Sequence, residues 1–434
     1  MSGPLHDRVD VGGWWCRSWR WILGTVLASC LVLGAGGEPA GARPLDRRIP
    51  GLFGGTLSTA AAITDQRASR ARLRFADQFR SLSAALAAAR SQAPIPSASG
   101  AFRFAWDPEL DTFVRLPQSL GAPLAERAET LGRHTGTLSF SYTRIDFDTL
   151  EGDSINRLSF SQDAFSAAFL DTLLPSDREK LKDDRLRTRL NLKLSFDLLF
   201  FGAAFGLTDS VDVSMALAVN HARMRGRAVT MIQRPDGRPG NGTFLVDPRT
   251  RELSAGSGRL CEAGNFRCAT DRFEASAFGT GDLFLRTKWH FYDTPFANLA
   301  AIGVLTLPTG NAGDFLGFSD PTFTPWLIAS KRFGRVSPHL NLGYSFRSGA
   351  DVSQARWIAG ADVRATNWLT LAADFLGFHD DKRDGINDDV IQSAVGFKFN
   401  PFGQFVIAGN FQFPVNRDGI RADVIYTTQI EYTY

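Results

Sequence analysis

The chain has 434 residues, 12% of them aromatic, with 41 Gly, 35 Phe and a formal net charge of +3. That charge is too small to argue for nucleic acid, and beyond the leader no run of about eighteen apolar residues offers a helical membrane span. A mean hydropathy of -0.11 excludes nothing, because a β-barrel hides its apolar surface in alternation.

The chain opens with Arg17 and Arg20, then WILGTVLASCLVLGAGG, then the small-residue stretch EPAGA. A charged region, an apolar core and a small-residue exit predict a secretory signal over 1–42, cleaved near Ala42. Leu27-Ala28-Ser29-Cys30 resembles a lipoprotein box, but the apolar run continuing through Leu31, Val32 and Leu33 argues against lipidation at Cys30. An uncleaved anchor is the other alternative.

Residues 43–135 form the next part. Leu73, Ala76, Phe79, Leu82 and Leu86 recur at helical spacing, and the segment 56–92 reads as a basic amphipathic helix ended by Pro94 and Pro96. Residues 100–135 mix short aromatic stretches with turn residues, which fits a plug or a periplasmic extension.

From 136 to 434 the pattern changes to period 2. Leu340, Leu342, Tyr344 and Phe346 alternate with His339, Asn341, Ser345 and Arg347. Leu369, Leu371, Ala373 and Phe375 alternate with Thr370 and Asp374, and Phe405, Ile407, Phe411 and Phe413 with Gln404, Asn410 and Gln412. In the last strand Val424, Tyr426, Thr428, Ile430, Tyr432 and Tyr434 share one parity, with Ile425 breaking the polar one. A strand sends successive side chains to opposite faces, so each segment has one apolar and one polar face. Segments of about ten residues fit a tilted bilayer crossing. Long and short connections alternate, as in barrels with long outer loops and short periplasmic turns. The expectation is an all-β, antiparallel transmembrane barrel of about twelve strands in the outer membrane of a Gram-negative bacterium, its apolar parity facing outer-membrane lipids.

Charges on the polar parity are the candidate lumen lining. They are Arg187, Arg189, Lys193 and Asp197 on one strand; Asp282, Arg286, Lys288 and His290 on another; and Arg347, Arg356, Asp362, Arg364, Asp374, Lys398 and Glu431 further on. They either set the selectivity of a small-molecule path or pair across strands and hold a hydrated barrel together. Catalytic residues and cofactors are not expected: no serine nucleophile elbow occurs, no histidine precedes a serine by two residues, and no histidines stand at metal spacing. The strand following Gly279-Thr280-Gly281-Asp282 rules out a phosphate loop there. With Cys16 and Cys30 in the leader, Cys261 and Cys268 remain as an even pair; an exported chain favours a local disulfide over free thiols or a metal site.

At GTGDLFLRTKWHFYDTPFANLAAIGVLTLPTG, with Gly279, Gly281 and Asp282 opening a strand that reaches Lys288 and Leu307-Pro308-Thr309-Gly310 closing the next, the chain resembles a family of outer-membrane barrels. This family is named for the meta-cleavage pathway of phenol degradation. Its members are transporter-like proteins distantly similar to fatty-acid and aromatic-hydrocarbon channels. The resemblance covers roughly 136–434. It implies passive transport of small, hydrophobic or aromatic solutes and brings no catalytic residues. The aromatic last residue looks like the terminal signal by which outer-membrane barrels meet their assembly machinery. The alternative function is a non-transporting envelope-structural or adhesion barrel working through its long loops; a barrel hydrolase comes third.

Overall fold

The computed structural model describes residues 43–61, 69–74, 82, 86, 104–107, 112–115, 119–244, 259–260, 268–347, 353–381 and 389–434. The expected leader, its Cys30 and Cys261 lie outside the described residues. None of the described helices is long and apolar enough to cross a membrane.

Twelve strands close into one antiparallel barrel: β1 (Gly136–Phe147), β2 (Arg185–Gly206), β3 (Val211–Gln233), β4 (Cys268–Asp293), β5 (Asn298–Leu307), β6 (Thr322–Ser330), β7 (Val336–Arg347), β8 (Gln354–Arg364), β9 (Leu369–Asp380), β10 (Asp389–Phe402), β11 (Phe405–Pro414) and β12 (Ile425–Thr433). Each pairs with its sequence neighbours. Closure comes from β12 on β1, where Thr433 faces Thr137 and Ile425 faces Ile145. Within the belt, closure leaves no unpaired sheet edge, a condition for any sheet that spans lipid.

Burial follows parity around the ring. Leu342, Leu371 and Phe375 are 47%, 49% and 55% exposed, while Asn341, Thr370 and Asp374 beside them are nearly fully buried. The exposed set forms an apolar belt with aromatic borders. At the short-turn end Trp289, Phe296, Phe333, Trp368, Phe402 and Phe405 are exposed, with Trp368 packed on Phe399 and Phe405 on Tyr432. This outer face suits hydrocarbon between two interfaces.

The turns at that end are short: 207–210, 294–297, 331–335, 365–368 and 403–404. The opposite end carries the long connections, including 148–184 and 234–267. β2, β3 and β4 run for 22, 23 and 26 residues, whereas the other nine strands have 9 to 14. The three long strands therefore rise as a tongue beyond the belt on the long-loop side. β3 continues to Gln233 and β4 begins at Cys268, so 234–267 connects them. Gly279–Asp282, read as the start of a strand, sits inside β4. There the pairing with β3 shifts between Leu217 and Val219, a bulge that re-aims the strand. Gly281 is needed in it: a Cβ would lie 2.5 Å from Asn220 Nδ2.

The expected helix over 56–92 is corrected in its first part. Thr56–Ala61 and Ser69–Arg74 pair as an antiparallel hairpin extended by Gly242–Phe244. Arg70, Arg72 and Arg74 alternate with Ala71 and Leu73, a period of 2 that suits a strand. Leu82 and Leu86 are helical and buried.

Candidate functional site

The interior divides along the barrel. Residues 119–135 form an extended strap across the lumen at the short-turn end, and Leu120 to Leu131 are almost all buried. A lone extended chain needs partners for its backbone, and inward side chains of the wall supply them. Leu120 N donates to Thr370 Oγ1 (2.9 Å), Ala128 N to Ser330 Oγ (2.9 Å) and Leu131 N to Asp212 Oδ2 (2.9 Å). Asn341 holds Glu126 from both sides, accepting from its N–H and donating to its carbonyl, each at 2.9 Å. Ser119 Oγ donates to Asp362. The strap leaves along β2, where His134 N donates to Gly206 O (2.9 Å). Gly206 permits that approach: a Cβ there would lie 1.9 Å from Gly132 O.

Glu126 fixes the strap electrostatically. Its carboxylate lies 2.6 Å from Arg286 Nη2 and 3.6 Å from Lys288 Nζ, with all three side chains about a tenth exposed or less. One carboxylate against two cations in a dry setting is a strong local restraint.

Above the strap lies a cavity of about 130 Å³. Leu124 and Glu126 form its floor; Phe284, Ile302, Val304, Trp326, Ile328, Ile358, Leu376 and Phe378 supply an apolar wall. Arg347 and Arg356 add cations, Arg347 stacked 4.6 Å above the Phe318 ring and Arg356 5.8 Å from Phe378. Trp357 and Gly377, of outer parity, also line it, so the cavity reaches the wall between lumen and lipid. Nearby, pairing of β6 with β7 passes from Phe323–Phe346 to Trp326–Gly343, skipping Thr324 and Pro325; proline has no N–H for the ladder. The long-loop end is covered by 43–53. Ile49, Leu52 and Phe53 are buried, Leu45 N donates to Asp314 Oδ1 and Phe53 N to Asp271 Oδ2. Burial pushes the Asp46 carboxyl up, opposed by Arg47 and aided by nearby Asp314.

The structure separates the sequence-selected charges. Arg187, Arg189, Lys193 and Asp197 do not line the lumen: their neighbours Leu186, Leu190, Leu192, Leu194 and Phe196 fill the interior. This strand inverts the pattern. Its charged parity faces out because, beyond the belt, the outer face meets water, while segments 148–184 and 234–244 bury the inner face with Phe165, Leu181 and Phe244. The others fall on the inner parity. Lys398 pairs with Glu431 (2.7 Å), His339 with Asp374 (2.6 Å), and Asp282 accepts from Gly310 N and Phe318 N. His290 reaches Asp293 (3.0 Å) near the short-turn end, and Arg364 ends β8. Among the described residues no group of three or more His, Cys, Asp or Glu is placed to hold a metal. The sequence reading missed Glu126 and the apolar wall. The available signal for the wall was Leu299–Leu307, apolar on both parities, which means a strand buried on both faces.

No protein-family model and no curated protein matches the chain. Among solved structures, it is similar to an outer membrane channel from Pseudomonas putida F1, with 12% identity, a TM-score of 0.42, and coverage of 71% of this chain and 98% of that one. It is similar to the CymD monoaromatic hydrocarbon channel at 8% identity and a TM-score of 0.32, covering 70% and 88%. It is similar to the Ralstonia pickettii toluene transporter TbuX at 11% identity and a TM-score of 0.31, covering 70% and 89%. The barrel assignment rests on the strand pairing, not on these likenesses.

Proposed function

We propose that the chain is an outer-membrane channel for passive passage of small hydrophobic or aromatic solutes, with 1–42 as leader, 43–135 as an internal plug and 136–434 as barrel. The observation that carries this is the cavity: an apolar, aromatic-rich chamber inside a barrel, floored by a strap that could be displaced. A barrel serving only as a structural pillar needs no such chamber, because packed side chains would stabilise it better. The apolar outer belt supports the membrane setting, and the pairing gap at Pro325 supports a route through the wall. No energy-coupling element or enzymatic constellation enters this reading. Two further parts belong to it: the last strand, β12, with Tyr434 after it, as contact for the barrel-assembly machinery, and a disulfide from Cys261 of the β3–β4 connection to Cys268 at the start of β4. Cys268 is buried at the start of β4.

The test is uptake of toluene, phenol and a short alkane into proteoliposomes, with Ile302→Arg and Ile328→Arg as cavity-filling variants. Saturable uptake of the aromatic solutes that both variants abolish supports the channel. Uptake no faster than through protein-free vesicles overturns it and leaves the envelope-structural role.

A further inference from the structure

The outer face of the tongue lies outside the cavity, yet it carries much of the exposed positive charge of β2, β3 and β4. Arg225 pairs with Glu274, and Arg223 with Asp197. Five cations remain, Arg187, Arg189, Lys193, Arg227 and Arg272, with no carboxylate partner among the described residues. Their placement is self-repelling. Arg227 stands directly opposite Arg272 across the β3–β4 ladder, and Arg225 opposite Lys193 across β2–β3. Like charges at directly opposed positions destabilise a sheet unless a counter-charge sits over them.

The position of the face says where that counter-charge comes from. Leu199 and Phe201 on β2, and Val213, Met215, Leu217 and Val219 on β3, point outward on the same parity as the cations and belong to the apolar belt. The change from apolar to basic falls at Asp197 and His221, with Phe278 packed on His221. Lys193 lies six residues beyond Leu199 and Arg187 twelve. At about 3.3 Å per residue and a tilt of about 40°, the cations stand roughly 15–30 Å above the belt. The face is concave there: a hollow of about 640 Å³ is lined by Arg144, Lys193, Arg223 and Arg225 together with Asp146, Asp148 and Glu274. Whatever binds this surface stands beside the barrel wall, above the apolar belt on the long-loop side.

We propose that this face binds the phosphorylated, carboxylate-bearing glycolipid of the outer leaflet, its guanidinium and ammonium groups replacing the divalent cations that otherwise bridge neighbouring headgroups. The proposal rests on the outer-membrane reading above. Lipid-anchored phosphates satisfy three observations together: the charge sign, the height above the apolar belt, and the continuity of one outer surface from acyl chains to sugars. A soluble anion would satisfy only the first.

The test uses the full chain purified in detergent and titrated with rough lipopolysaccharide, the same glycolipid dephosphorylated, and inorganic phosphate. Wild type is expected to bind the phosphorylated form at least about tenfold more tightly than the dephosphorylated one, a difference of about 1.4 kcal/mol. Binding should weaken with salt. Replacing Arg187, Arg189, Lys193, Arg227 and Arg272 together by Ser should remove that preference. Replacing the four arginines by Lys should keep it, with heat-modifiable gel mobility reporting an intact barrel in both. Equal binding of both glycolipids by wild type overturns the proposal without need of any variant. So does competition by inorganic phosphate at concentrations equal to the lipid. Cell fractionation is read separately: a chain found outside the outer membrane refutes the channel's location, while the titration still decides the surface.

Discussion

The strap at the short-turn end hangs on Glu126, and Glu126→Gln isolates that anchor. The substitution keeps shape and the two backbone bonds to Asn341 but removes the charge facing Arg286 at 2.6 Å and Lys288 at 3.6 Å. With an effective dielectric of about 20, those distances give gross attractions of roughly 6 and 5 kcal/mol. Most of that is offset by desolvation. Removing one partner of a buried pair typically costs about 3–5 kcal/mol, because the remaining charge is left in a dry site. The bonds from Leu120, Ala128 and Leu131 contribute about 0.5–1.5 kcal/mol each. Glu126 therefore supplies about half of the strap's attachment, and its loss should raise the released fraction by roughly a hundredfold to a few thousandfold, since 1.4 kcal/mol is a factor of ten. The barrel ladders are untouched, so gel mobility should still show a folded barrel. The assay is amide hydrogen exchange of Leu120 to Leu131 together with conductance in planar bilayers. Faster exchange confined to the strap, with longer open events, is the expected result. Unchanged exchange over those amides would refute the latch.

Other substitutions address the remaining parts. Leu342→Arg, on the lipid face of β7, should destabilise the barrel in bilayers by about 2–4 kcal/mol in chemical unfolding, whereas Arg at exposed Leu174 in the β1–β2 loop should have little effect. Arg347→Gln with Arg356→Gln should lower uptake of benzoate relative to toluene and shift the reversal potential toward cations. Arg189→Gln, on the outer face, should leave both unchanged; an equal response from Arg189 would undo the assignment of faces. Burial raises the Asp46 carboxyl above its unfolded value, so the covering segment 43–53 is favoured below the unfolded carboxylate range and loses that share as pH rises through the raised value. Asp46→Asn should accordingly slow exchange at Leu52 and Phe53 at neutral pH and lose the advantage in acid, after correction for intrinsic exchange; the opposite pH trend would contradict this. Non-reducing mass spectrometry should find Cys261 and Cys268 joined, closing a small loop that contributes about 2–3 kcal/mol locally, and full alkylation without reductant would disprove it.

β7 and β9–β12 show how much of the barrel is written locally. Leu342 and Asn341, or Leu371 and Thr370, take opposite faces because a strand's period is 2, and lipid and lumen impose opposite solvents on them. Strand number, antiparallel order and turn alternation follow from the same period and from turn residues. β2 shows the limit. Its alternation is as regular as any, but period alone does not say which face is inside. That depends on whether lipid, water or another segment covers each side. Beyond the belt, water takes the outer face and segments 148–184 and 234–244 bury the inner one, so Arg187, Arg189 and Lys193 turn outward. Local pattern also left Arg70, Arg72 and Arg74 open to two periods. Pairing of Ser69–Arg74 with Thr56–Ala61, and of the latter with Gly242–Phe244, selected the strand. The site was the least legible part. Glu126 meets Arg286 across 160 residues of sequence, and no local signal announces a contact between a strap and a wall. The sequence by itself determined a closed alternating barrel with an apolar outer face, because parity and turn length are local properties. Only the tertiary structure decided which charges face the lumen and what fills it, because those depend on which distant segment covers each face.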